Sequence, residues 1–486
     1  MMVPPMRIRT VNQAPPDTNG RYVLYWMTAY RRFRWNFSFQ RAVEWAKDLR
    51  KPLVVLEALR CDYPWASDRL HQFILEGMVD NSAELSNRPA VYFPFFEREK
   101  GQGKGLLENL SKYACVVVTD DFPAFFLPNM IAAAGKRLSI KLEAVDSNGL
   151  LPLRAADRVF SSAFSFRRFL QKELPEHLSD FPLEDPLANA DLPRIDSLPE
   201  EVVQNWPPDM VPFSRQGIGG LSALPIDHSV QSVSTRGGTR AGEDLLRSFI
   251  EEKLRVYHSA RNHPDEEGTS GLSPYLHFGH VSVHQIFSKI ASAEKWSVEQ
   301  LDSRVQGQRE GWWRMNPGAE AFLDELITWR ELGFNMCSKR KDYDQITSLP
   351  GWALEDLLKH SADDRPYVYS MHEFEEAKTH DPLWNAAQIQ LAMEGRIHNY
   401  LRMLWGKKIL HWSRSPQEAL DIMIELNNRY ALDGRDPNSY TGIFWVLGRY
   451  DRPWAPSRPV FGKVRYMSSR STMRKLKVAH YLQRYR

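Results

Sequence analysis

Residues 22–59 begin with the apolar run YVLYWM at 22–27 and end with the apolar run PLVVLEAL at 52–59. Both runs have the length of a buried parallel strand and are rich in β-branched or aromatic residues. The residues between them, 37–50, carry apolar side chains at helical spacing. A strand, a helix and a second strand in this order predict a βαβ unit, in which the helix connects two parallel strands.

The same alternation continues along the first third of the chain. Further strand patterns are AVYFPF at 90–95, CVVVTD at 115–120 and IKLEAV at 140–145, and residues 68–85 have a helical pattern. We therefore predict a Rossmann-like N-terminal α/β domain, residues 1–175, with a parallel sheet and helices on both faces. No G-x-G-x-x-G follows the first strand, so the dinucleotide fingerprint is missing. A nucleotide-like ligand at the carboxyl ends of the strands stays open.

A long connector and a helical region follow. Eight prolines lie between Phe181 and Val230, with Gly217, Gly219 and Gly220 near the end. Proline removes a backbone donor, so this composition predicts an interdomain linker over residues 176–238. Strand patterns nearly vanish after it, which predicts an all-helical domain over residues 239–486. Its helical patterns cover residues 245–257, 281–293, 319–337, 386–410 and 416–429.

The composition is that of an ordinary globular protein. Of 486 residues, 43% are hydrophobic and 25% charged, which excludes disorder of the whole chain. Only three cysteines are present, Cys61, Cys115 and Cys337, so a disulfide scaffold is excluded and a reducing compartment is favoured. No apolar run approaches the roughly 20 residues that span a bilayer, and the start has no signal-peptide core. We expect a monomer in the cytoplasm, or in the nucleus of a eukaryotic source.

The end of the chain is cationic, although the net charge is only +3. Residues 447–486 contain eleven Lys and Arg against one acid, Asp451. A cationic end on a nearly neutral body favours a polyanion such as nucleic acid as the partner. A solvated basic tail is the alternative.

The 15 tryptophans include three at informative positions. Trp405 and Trp412 are seven residues apart, so on a helix they differ by only ~20° around the axis and by roughly 10 Å along it. With Trp384 nearby in sequence, three indoles could form a line through the domain. The alternative is an aromatic core.

Arg402 and Asp433 could form a buried pair, since the acid lies beside the turn of the segment LDGRDPN, residues 432–438. Burying two charges carries a high desolvation cost, so a charged or redox-active ligand beside the pair is one explanation. A structural ion pair is the other.

The segment Thr269, Ser270, Gly271, Leu272 and Ser273 precedes a helical pattern. Hydroxyls and backbone donors at such a place suit phosphate binding, but helix-capping residues give the same pattern. Three histidines follow at 277, 280 and 284, without a cysteine or a carboxylate cluster nearby, so we predict no metal site.

Glu325 and Trp329 are four residues apart in the helical stretch FLDELITWREL, residues 322–332, and therefore share a face. A carboxyl group beside an indole can have a raised pKa and donate a hydrogen bond when it faces a cavity. The alternative is a surface acid near Arg330.

Several long motifs occur in one order along nearly the whole chain. They are THDPLWNAAQ, H-x-x-L-R-M-x-W-x-K-K-I-L-x-W, LDGRDPN, W-x-x-G-x-x-D-R-P-W and VFGKVRYM. Together they resemble the class II branch of DNA photolyases, and TSGLSPYLHFG and ELITWREL are similar to motifs of the wider photolyase and cryptochrome family. The predicted α/β domain, linker and helical domain match the layout of that family.

The resemblance implies a deoxyribodipyrimidine photo-lyase, a carbon–carbon lyase that repairs cyclobutane pyrimidine dimers in UV-damaged DNA with blue light. Its cofactor would be FAD, active as the fully reduced anion, which passes an electron to a dimer flipped out of the duplex. An antenna chromophore of the deazaflavin or folate type stays open.

The resemblance also implies residues around the flavin. Thr269, Ser270, Gly271, Leu272 and Ser273 would hold the FAD phosphates. Tyr257 would lie nearby, Arg402 and Asp433 would flank the ring, and Asn427 would face its N5. The chain Trp405, Trp384 and Trp412 would photoreduce the flavin, proximal residue first, with Tyr369 as a further donor near the surface.

For the substrate, the resemblance implies that Glu325 hydrogen-bonds the dimer. Further residues would pack against the dimer or line its pocket: Trp329, Trp445, Met403 and Arg261. Arg452 and Arg465 would contact DNA phosphates or fill the gap that the dimer leaves. Aromatic walls suit a flipped base, and the basic C-terminal run suits the phosphate backbone.

The sequence departs from the class II pattern at two points. Asn399 stands where class II members more usually carry glycine, and the turn VLGRYD after Trp445 is one residue shorter than usual. Two other functions stay open. A cryptochrome-like photoreceptor would use the same flavin and tryptophans. Such photoreceptors often carry a long C-terminal extension, and this sequence stops soon after VRYM, which disfavours that function. A (6-4) photolyase would need pocket histidines, and His398 is the only one near the start of the Arg402 helix.

Overall fold

The computed structural model describes residues 2–209 and 221–486. Gly217, Gly219 and Gly220 of the linker lie outside these residues. The strands are β1 (Ile8–Thr10), β2 (Tyr22–Met27), β3 (Leu53–Leu59), β4 (Val91–Phe96), β5 (Ala114–Asp120) and β6 (Leu142–Val145).

The α-helices of the first 300 residues are α1 (Phe37–Leu49), α2 (Asp68–Leu85), α3 (Leu106–Ser111), α4 (Leu127–Arg137), α5 (Ala163–Glu173), α6 (Glu200–Asn205), α7 (Thr239–Ser248), α8 (Tyr257–Ala260), α9 (Ser273–His277) and α10 (Val283–Ala293). Those that follow are α11 (Pro317–Leu323), α12 (Arg330–Lys339), α13 (Gly351–Lys359), α14 (Met371–Glu375), α15 (Pro382–Glu394), α16 (Asn399–Trp412), α17 (Pro416–Tyr430), α18 (Pro437–Val446), α19 (Ser469–Lys475) and α20 (Ala479–Arg484). Two segments are π-helical, Phe249–Lys253 and Asp324–Trp329.

Six strands form one sheet in the order β1-β6-β5-β2-β3-β4. The five strands from β2 to β6 are parallel, as their apolar runs predict. The sequence patterns missed β1, which pairs antiparallel with β6 and places Ile8 opposite Val145. The reason is that β1 has three residues, IRT, and none of them is fully buried, so it leaves no apolar run to detect.

Strand β2 is buried along its whole length because both faces of the sheet are covered. On one face, Val23, Tyr25 and Met27 join a core with residues of α1. On the other face, Tyr22, Leu24 and Trp26 join a core with residues of α3, α4 and α6. Alternation of side chains between the two faces explains why the sequence of β2 is apolar throughout.

The chain divides into two compact units. The sheet unit consists of Met1–Ala156, Glu176–Arg247 and Leu272–Lys289, and the helical unit consists of Asp157–Pro175, Ser248–Gly271 and Ile290–Arg486. The three-part division into residues 1–175, 176–238 and 239–486 stays a prediction. Among the described residues, no helix is both long and apolar enough to cross a membrane.

Three of the predicted helical stretches are interrupted in the structure. Residues 245–257 pass from α7 through the π-helical segment Phe249–Lys253 and a 3-10 turn at Leu254–Val256 to α8. Residues 386–410 fall into α15 and α16, because Gly395 ends α15 with φ +70°, a left-handed conformation that suits glycine. Residues 319–337 pass through the π-helical segment Asp324–Trp329 between α11 and α12. Apolar spacing does not distinguish a π-helical turn from an α-helical one, so this change of pitch could not be seen in the sequence.

Candidate active site in the helical unit

Arg402 and Asp433 form an ion pair at the start of α16. The Arg402 Nη2 donates to Asp433 Oδ1 at 3.0 Å and to Oδ2 at 3.3 Å. The Arg402 and Asp433 side chains are 15% and 14% exposed. By contrast, Leu401 and Leu404 on the same helix as Arg402 are fully buried. Both charges are therefore mostly desolvated but remain accessible from one side.

A polar network fixes the residues next to this pair. The Asn427 Nδ2 donates to Ser439 Oγ at 2.8 Å and to Asn428 Oδ1 at 3.1 Å. The backbone N–H of Arg435 also donates to Asn428 Oδ1, at 2.9 Å. Asn427 is buried, and its amide oxygen accepts no hydrogen bond from the described residues. This oxygen remains as an acceptor for a ligand.

The three tryptophans that the sequence predicts to form a line contact one another in the order Trp405, Trp384 and Trp412. The Trp405 Nε1 donates to Gln388 Oε1 at 2.9 Å, and the Trp384 Nε1 donates to the backbone carbonyl of Trp405 at 3.0 Å. The rings of Trp384 and Trp412 lie 6.1 Å apart at 70°. Thus Trp384, which α15 contributes, lies between two residues of α16, and all three indoles are buried.

Tyr369 continues this line. Its ring lies 5.7 Å from that of Trp412, and its backbone N–H donates to the Trp412 carbonyl at 3.1 Å. Unlike the indoles, Tyr369 is partly exposed. The order Trp405, Trp384, Trp412 and Tyr369 therefore runs from the interior of the helical unit to its surface.

Glu325 pairs with Arg261 rather than with Arg330. The Arg261 Nη1 donates to Glu325 Oε1 at 2.5 Å, and the side chains are 27% and 31% exposed. Burial raises the pKa of Glu325, and the charge of Arg261 opposes this rise. The Arg261 guanidinium also lies 5.4 Å over the ring of Tyr257. Arg330 is instead buried over the ring of Phe334, at 4.2 Å.

Glu325 and Trp329 lie in the π-helical segment Asp324–Trp329, not in an α-helix as the sequence predicts. Both are partly exposed, whereas Leu326, Ile327 and Thr328 between them are buried. The two residues thus remain on the accessible side of the segment. π-helical turns inside α-helices occur frequently at functional sites.

Two cations lie against Trp445. Lys407 Nζ lies 5.0 Å over the Trp445 ring and donates a hydrogen bond to the Val446 carbonyl at 2.5 Å. The Arg465 guanidinium lies 5.5 Å over the same ring. Lys407 is fully buried, and burial lowers its pKa to about 7. Trp445 itself is partly exposed. The sequence analysis missed Lys407, although its helical neighbours Met403, Leu404 and Leu410 are apolar and were the available signal.

Arg452 and Arg465 are exposed on a hairpin-like segment. Their guanidinium groups lie 5.0 and 4.8 Å over the ring of Trp454. Backbone hydrogen bonds from Arg458 to Gly462 and back, at 2.9 and 2.8 Å, close this segment. Exposed guanidinium groups held on an aromatic ring can reach a phosphate without losing their support.

The remaining predicted residues lie as follows. Met403 is partly exposed next to Arg402. Thr269, Ser270 and Gly271 are partly exposed in the helical unit, and Gly271 has φ +70°. Leu272 is buried in the sheet unit, and Ser273 is exposed as the first residue of α9. The role of Leu272 and Ser273 in phosphate binding stays a prediction.

The three histidines near this segment pack against aromatic rings of the sheet unit. His280 lies 5.2 Å from Phe73, and His284 lies 5.2 Å from Phe37. Burial lowers the pKa of His280 to about 3. The described residues contain no group of three or more His, Cys, Asp or Glu that could bind a metal ion.

Relatives of the chain are named for one activity. A deoxyribodipyrimidine photo-lyase of Methanothermobacter thermautotrophicus is 35% identical over 486 residues, which cover 100% of this chain and 99% of the relative. Proteins of the same name from Potorous tridactylus and Arabidopsis thaliana are 33% and 32% identical, covering 98% and 99% of this chain and 83% and 92% of the relatives. The chain belongs to the deoxyribodipyrimidine photo-lyase family. No family model matches it.

The predicted fold of the photolyase is confirmed by a solved structure. A bacterial class III photolyase from Agrobacterium tumefaciens has a TM-score of 0.67 and 16% identity, and the match covers 96% of this chain and 86% of the other. At this identity the match shows the fold alone. It agrees with the predicted α/β and all-helical layout.

The residues of the helical unit fit the FAD that this family implies. The Arg402–Asp433 pair offers both signs of charge on its accessible side. Asn427 adds an amide group, and both ring nitrogens of the buried His398, one turn before Arg402, lack a hydrogen-bond partner among the described residues. Burial lowers the pKa of His398 to about 4, so the ring is neutral at neutral pH. Buried polar atoms of this kind are rarely left unsatisfied, which favours a polar ligand there.

Proposed function

We propose that the chain is a class II cyclobutane pyrimidine dimer photolyase whose helical unit binds FAD and damaged DNA. Membership of the family gives the reaction, light-dependent splitting of pyrimidine dimers in DNA. The class II motifs THDPLWNAAQ, LDGRDPN and VFGKVRYM support the finer assignment. The observation that carries the proposal is that α16 holds both the accessible Arg402–Asp433 pair and the inner end of the aromatic line, Trp405.

FAD would be held by the charges and amides near α16. Arg402 and Asp433 would flank the ring, and Asn427 would present its amide group to it. Thr269 and Ser270 would donate hydroxyls to the phosphates, where Gly271 allows the backbone to turn, and Tyr257 lies on the same side as Arg261. When bound, FAD supplies the light-driven electron that splits the dimer.

Glu325 would donate a hydrogen bond to the dimer. Its raised pKa favours the protonated carboxyl, which is the form that can donate. Arg261 fixes the position of the carboxyl group through the 2.5 Å hydrogen bond. Trp329 and Trp445 are partly exposed indoles that suit packing against a flipped base, and Met403 would line the same pocket.

Arg452 and Arg465 would bind the DNA backbone. Both guanidinium groups are exposed and stacked on Trp454, and they belong to the basic run of residues 447–486. Phosphate contacts by such groups release counterions, so binding should weaken with salt. The extrusion of a dimer leaves a gap in the duplex that a planar guanidinium could fill.

The aromatic line would reduce the flavin under light. An electron would leave Trp405 first and be replaced from Trp384 and then from Trp412, with Tyr369 as the outermost donor. The buried contacts between Trp405, Trp384 and Trp412 support this order. The residues of the line are separate from Glu325 and Trp329, so photoreduction and repair should be separable by mutation.

The test uses two variants of the FAD-loaded protein. Trp405→Phe should lose flavin photoreduction but repair dimers once the flavin is reduced chemically, because repair does not need the line. Glu325→Ala should photoreduce normally but repair with a lower quantum yield, since a hydrogen bond to a polarised group contributes about 1.5–3 kcal/mol at most. The measurement is recovery of thymine absorbance from an oligonucleotide with a cyclobutane dimer.

A matched oligonucleotide with a (6-4) photoproduct is the control and should not be repaired. If the chemically reduced wild type binds FAD but repairs neither oligonucleotide, the proposed function is wrong. Normal photoreduction by folded Trp405→Phe would instead remove the aromatic line from the proposal and leave the repair activity in place.

A further inference from the structure

Tyr369 and His380 form a hydrogen-bonded pair beside the outermost tryptophan. The Tyr369 hydroxyl lies 2.7 Å from His380 Nδ1, and the backbone N–H of His380 donates to the same phenol oxygen at 3.1 Å. The backbone N–H occupies one lone pair of the phenol oxygen. When the neutral ring carries its proton on Nε2, Nδ1 is the acceptor and the Tyr369 hydroxyl donates to it.

The pair is in direct contact with Trp412. The ring of Tyr369 lies 5.7 Å and that of His380 4.9 Å from the indole of Trp412. Tyr367 stacks on the imidazole at 3.7 Å and 20°. Trp412 is buried, whereas His380 is exposed, so the pair links an interior electron donor to solvent.

Burial favours a neutral His380 ring. Burial and the charge of Lys408 lower the pKa of His380, and the carboxylate of Asp381 opposes this shift. Lys408 Nζ lies 5.0 Å over the ring of Trp412 and 3.7 Å from Asp381 Oδ2. His411, whose pKa burial lowers to about 4, is the other titratable ring that interacts with His380. A neutral imidazole that already accepts a hydrogen bond is prepared to take the proton.

We propose that His380 is the proton acceptor for the oxidation of Tyr369 by the Trp412 radical cation. One electron passes from Tyr369 to Trp412, the phenolic O–H bond breaks, and an N–H bond forms at His380 Nδ1. Trp412 becomes neutral, Tyr369 becomes a neutral radical and His380 becomes a cation, so electrons and charge balance. The inference rests on the proposed function, in which light-excited oxidised flavin generates the radical cation through Trp405 and Trp384.

This transfer has a consequence for charge separation. A phenol that loses an electron is a strong acid, so without an acceptor its oxidation is unfavourable. With His380 in place, the positive charge leaves the buried indole and reaches an exposed ring that can release a proton to water. The electron cannot return along the tryptophans until Tyr369 regains its proton, which lengthens the life of the reduced flavin.

The test is flash photolysis of the oxidised, FAD-loaded protein, with the absorption of the tyrosyl radical and the tryptophan radical cation followed separately. In wild type the tyrosyl radical should form, more slowly in D₂O than in H₂O. In His380→Ala its formation should slow by about 10²-fold, the lower range for loss of a general base, and the Trp412 radical cation should accumulate instead. Imidazole in the buffer should restore the tyrosyl signal, because the site is exposed. Tyr369→Phe should abolish the signal with or without imidazole.

Two further measurements test the protonation state of His380. Formation of the tyrosyl radical in wild type should slow as the pH falls through the lowered pKa of His380, because a protonated ring cannot accept. In the unilluminated protein, the ¹⁵N signals of His380 should show an unprotonated Nδ1 at neutral pH. Undiminished tyrosyl formation in folded His380→Ala, or a protonated Nδ1, would overturn the inference. Repair by chemically reduced wild type is measured in parallel, and its absence would count against the proposed function alone.

Discussion

Asp120 of the sheet unit and the two acids of the candidate site in the helical unit are satisfied in different ways. Asp120, at the end of β5, is fully buried. It accepts from the Tyr25 hydroxyl at 2.7 Å and from the backbone N–H groups of Thr28, Ala29 and Tyr30 at 2.8, 2.7 and 3.0 Å. The Thr28 hydroxyl also donates to it, at 3.5 Å, so five donors of the fold occupy its oxygens.

The charged groups of the helical unit keep part of their bonding capacity. Asp433 pairs with Arg402 and Glu325 pairs with Arg261, and all four side chains of these pairs are between 14% and 31% exposed. A carboxylate surrounded by backbone donors uses its oxygens to stabilise the fold. An ion pair that solvent can reach can also be reached by a ligand. This difference separates the structural acids from the candidate site better than the presence of charge does.

Substitution of Asp120 by Ala should have the largest effect on stability. It would leave three backbone N–H groups and two hydroxyls buried without their acceptor, and we expect the free energy of unfolding to fall by about 3 kcal/mol or more. Asp120→Asn is the matched control and should cost less, because one oxygen acceptor remains. The measurement is denaturant unfolding. A loss below about 1 kcal/mol in Asp120→Ala would remove the distinction between the two units.

Lys407 of the helical unit is charged in water but fully buried in the folded protein. Its pKa falls from 10.5 unfolded to about 7 folded, so the unfolded chain binds more protons between these values. Stability should therefore rise as the pH increases from 7 towards 10.5 and be lowest at and below pH 7. Lys407→Met should flatten this rise and stabilise the protein at pH 7 by about 1–4 kcal/mol.

The measurement for Lys407 is the unfolding midpoint of both proteins across that pH range. Lys408→Met is the control, because Lys408 contacts Asp381 and is less buried. Equal pH slopes for Lys407→Met and wild type would mean that Lys407 remains charged in the folded state.

The smallest effect on stability is expected for Arg402→Met. Because both side chains keep 15% and 14% exposure, loss of Arg402 should lower the unfolding free energy of the FAD-free protein by about 1–2 kcal/mol, less than the roughly 3–5 kcal/mol for a fully buried pair. FAD retention should nevertheless fall strongly, because the ring would lose its cation. Arg396→Met removes an exposed ion pair with Glu394 and should keep both stability and FAD. Unchanged FAD retention in Arg402→Met would make the pair purely structural.

The sequence was most informative where one element carries the signal. The run at β2 is apolar on both faces, so the parallel sheet could be predicted. The predicted pairing of Arg402 with Asp433 is also confirmed by their hydrogen bond. β1 could not be predicted, because its three residues are defined by their pairing with β6.

Contacts between distant segments account for the rest of the site. Glu325 pairs with Arg261, 64 residues away, instead of its neighbour Arg330. The insertion of Trp384 between Trp405 and Trp412 depends on the packing of α15 against α16, which sequence spacing does not specify. The burial of Lys407 against Trp445 likewise depends on where α18 ends.

The π-helical segment Asp324–Trp329 also bears on how this protein can evolve. Such a turn accommodates one residue more than an α-helix of the same length, so the loss of a single codon here can be absorbed locally. The flanking helices α11 and α12 would keep their buried faces, while Glu325 or Trp329 would turn by roughly 100° away from its present side. A one-residue deletion that is harmful in most helices would here leave a folded protein in which the accessible side of this segment is altered.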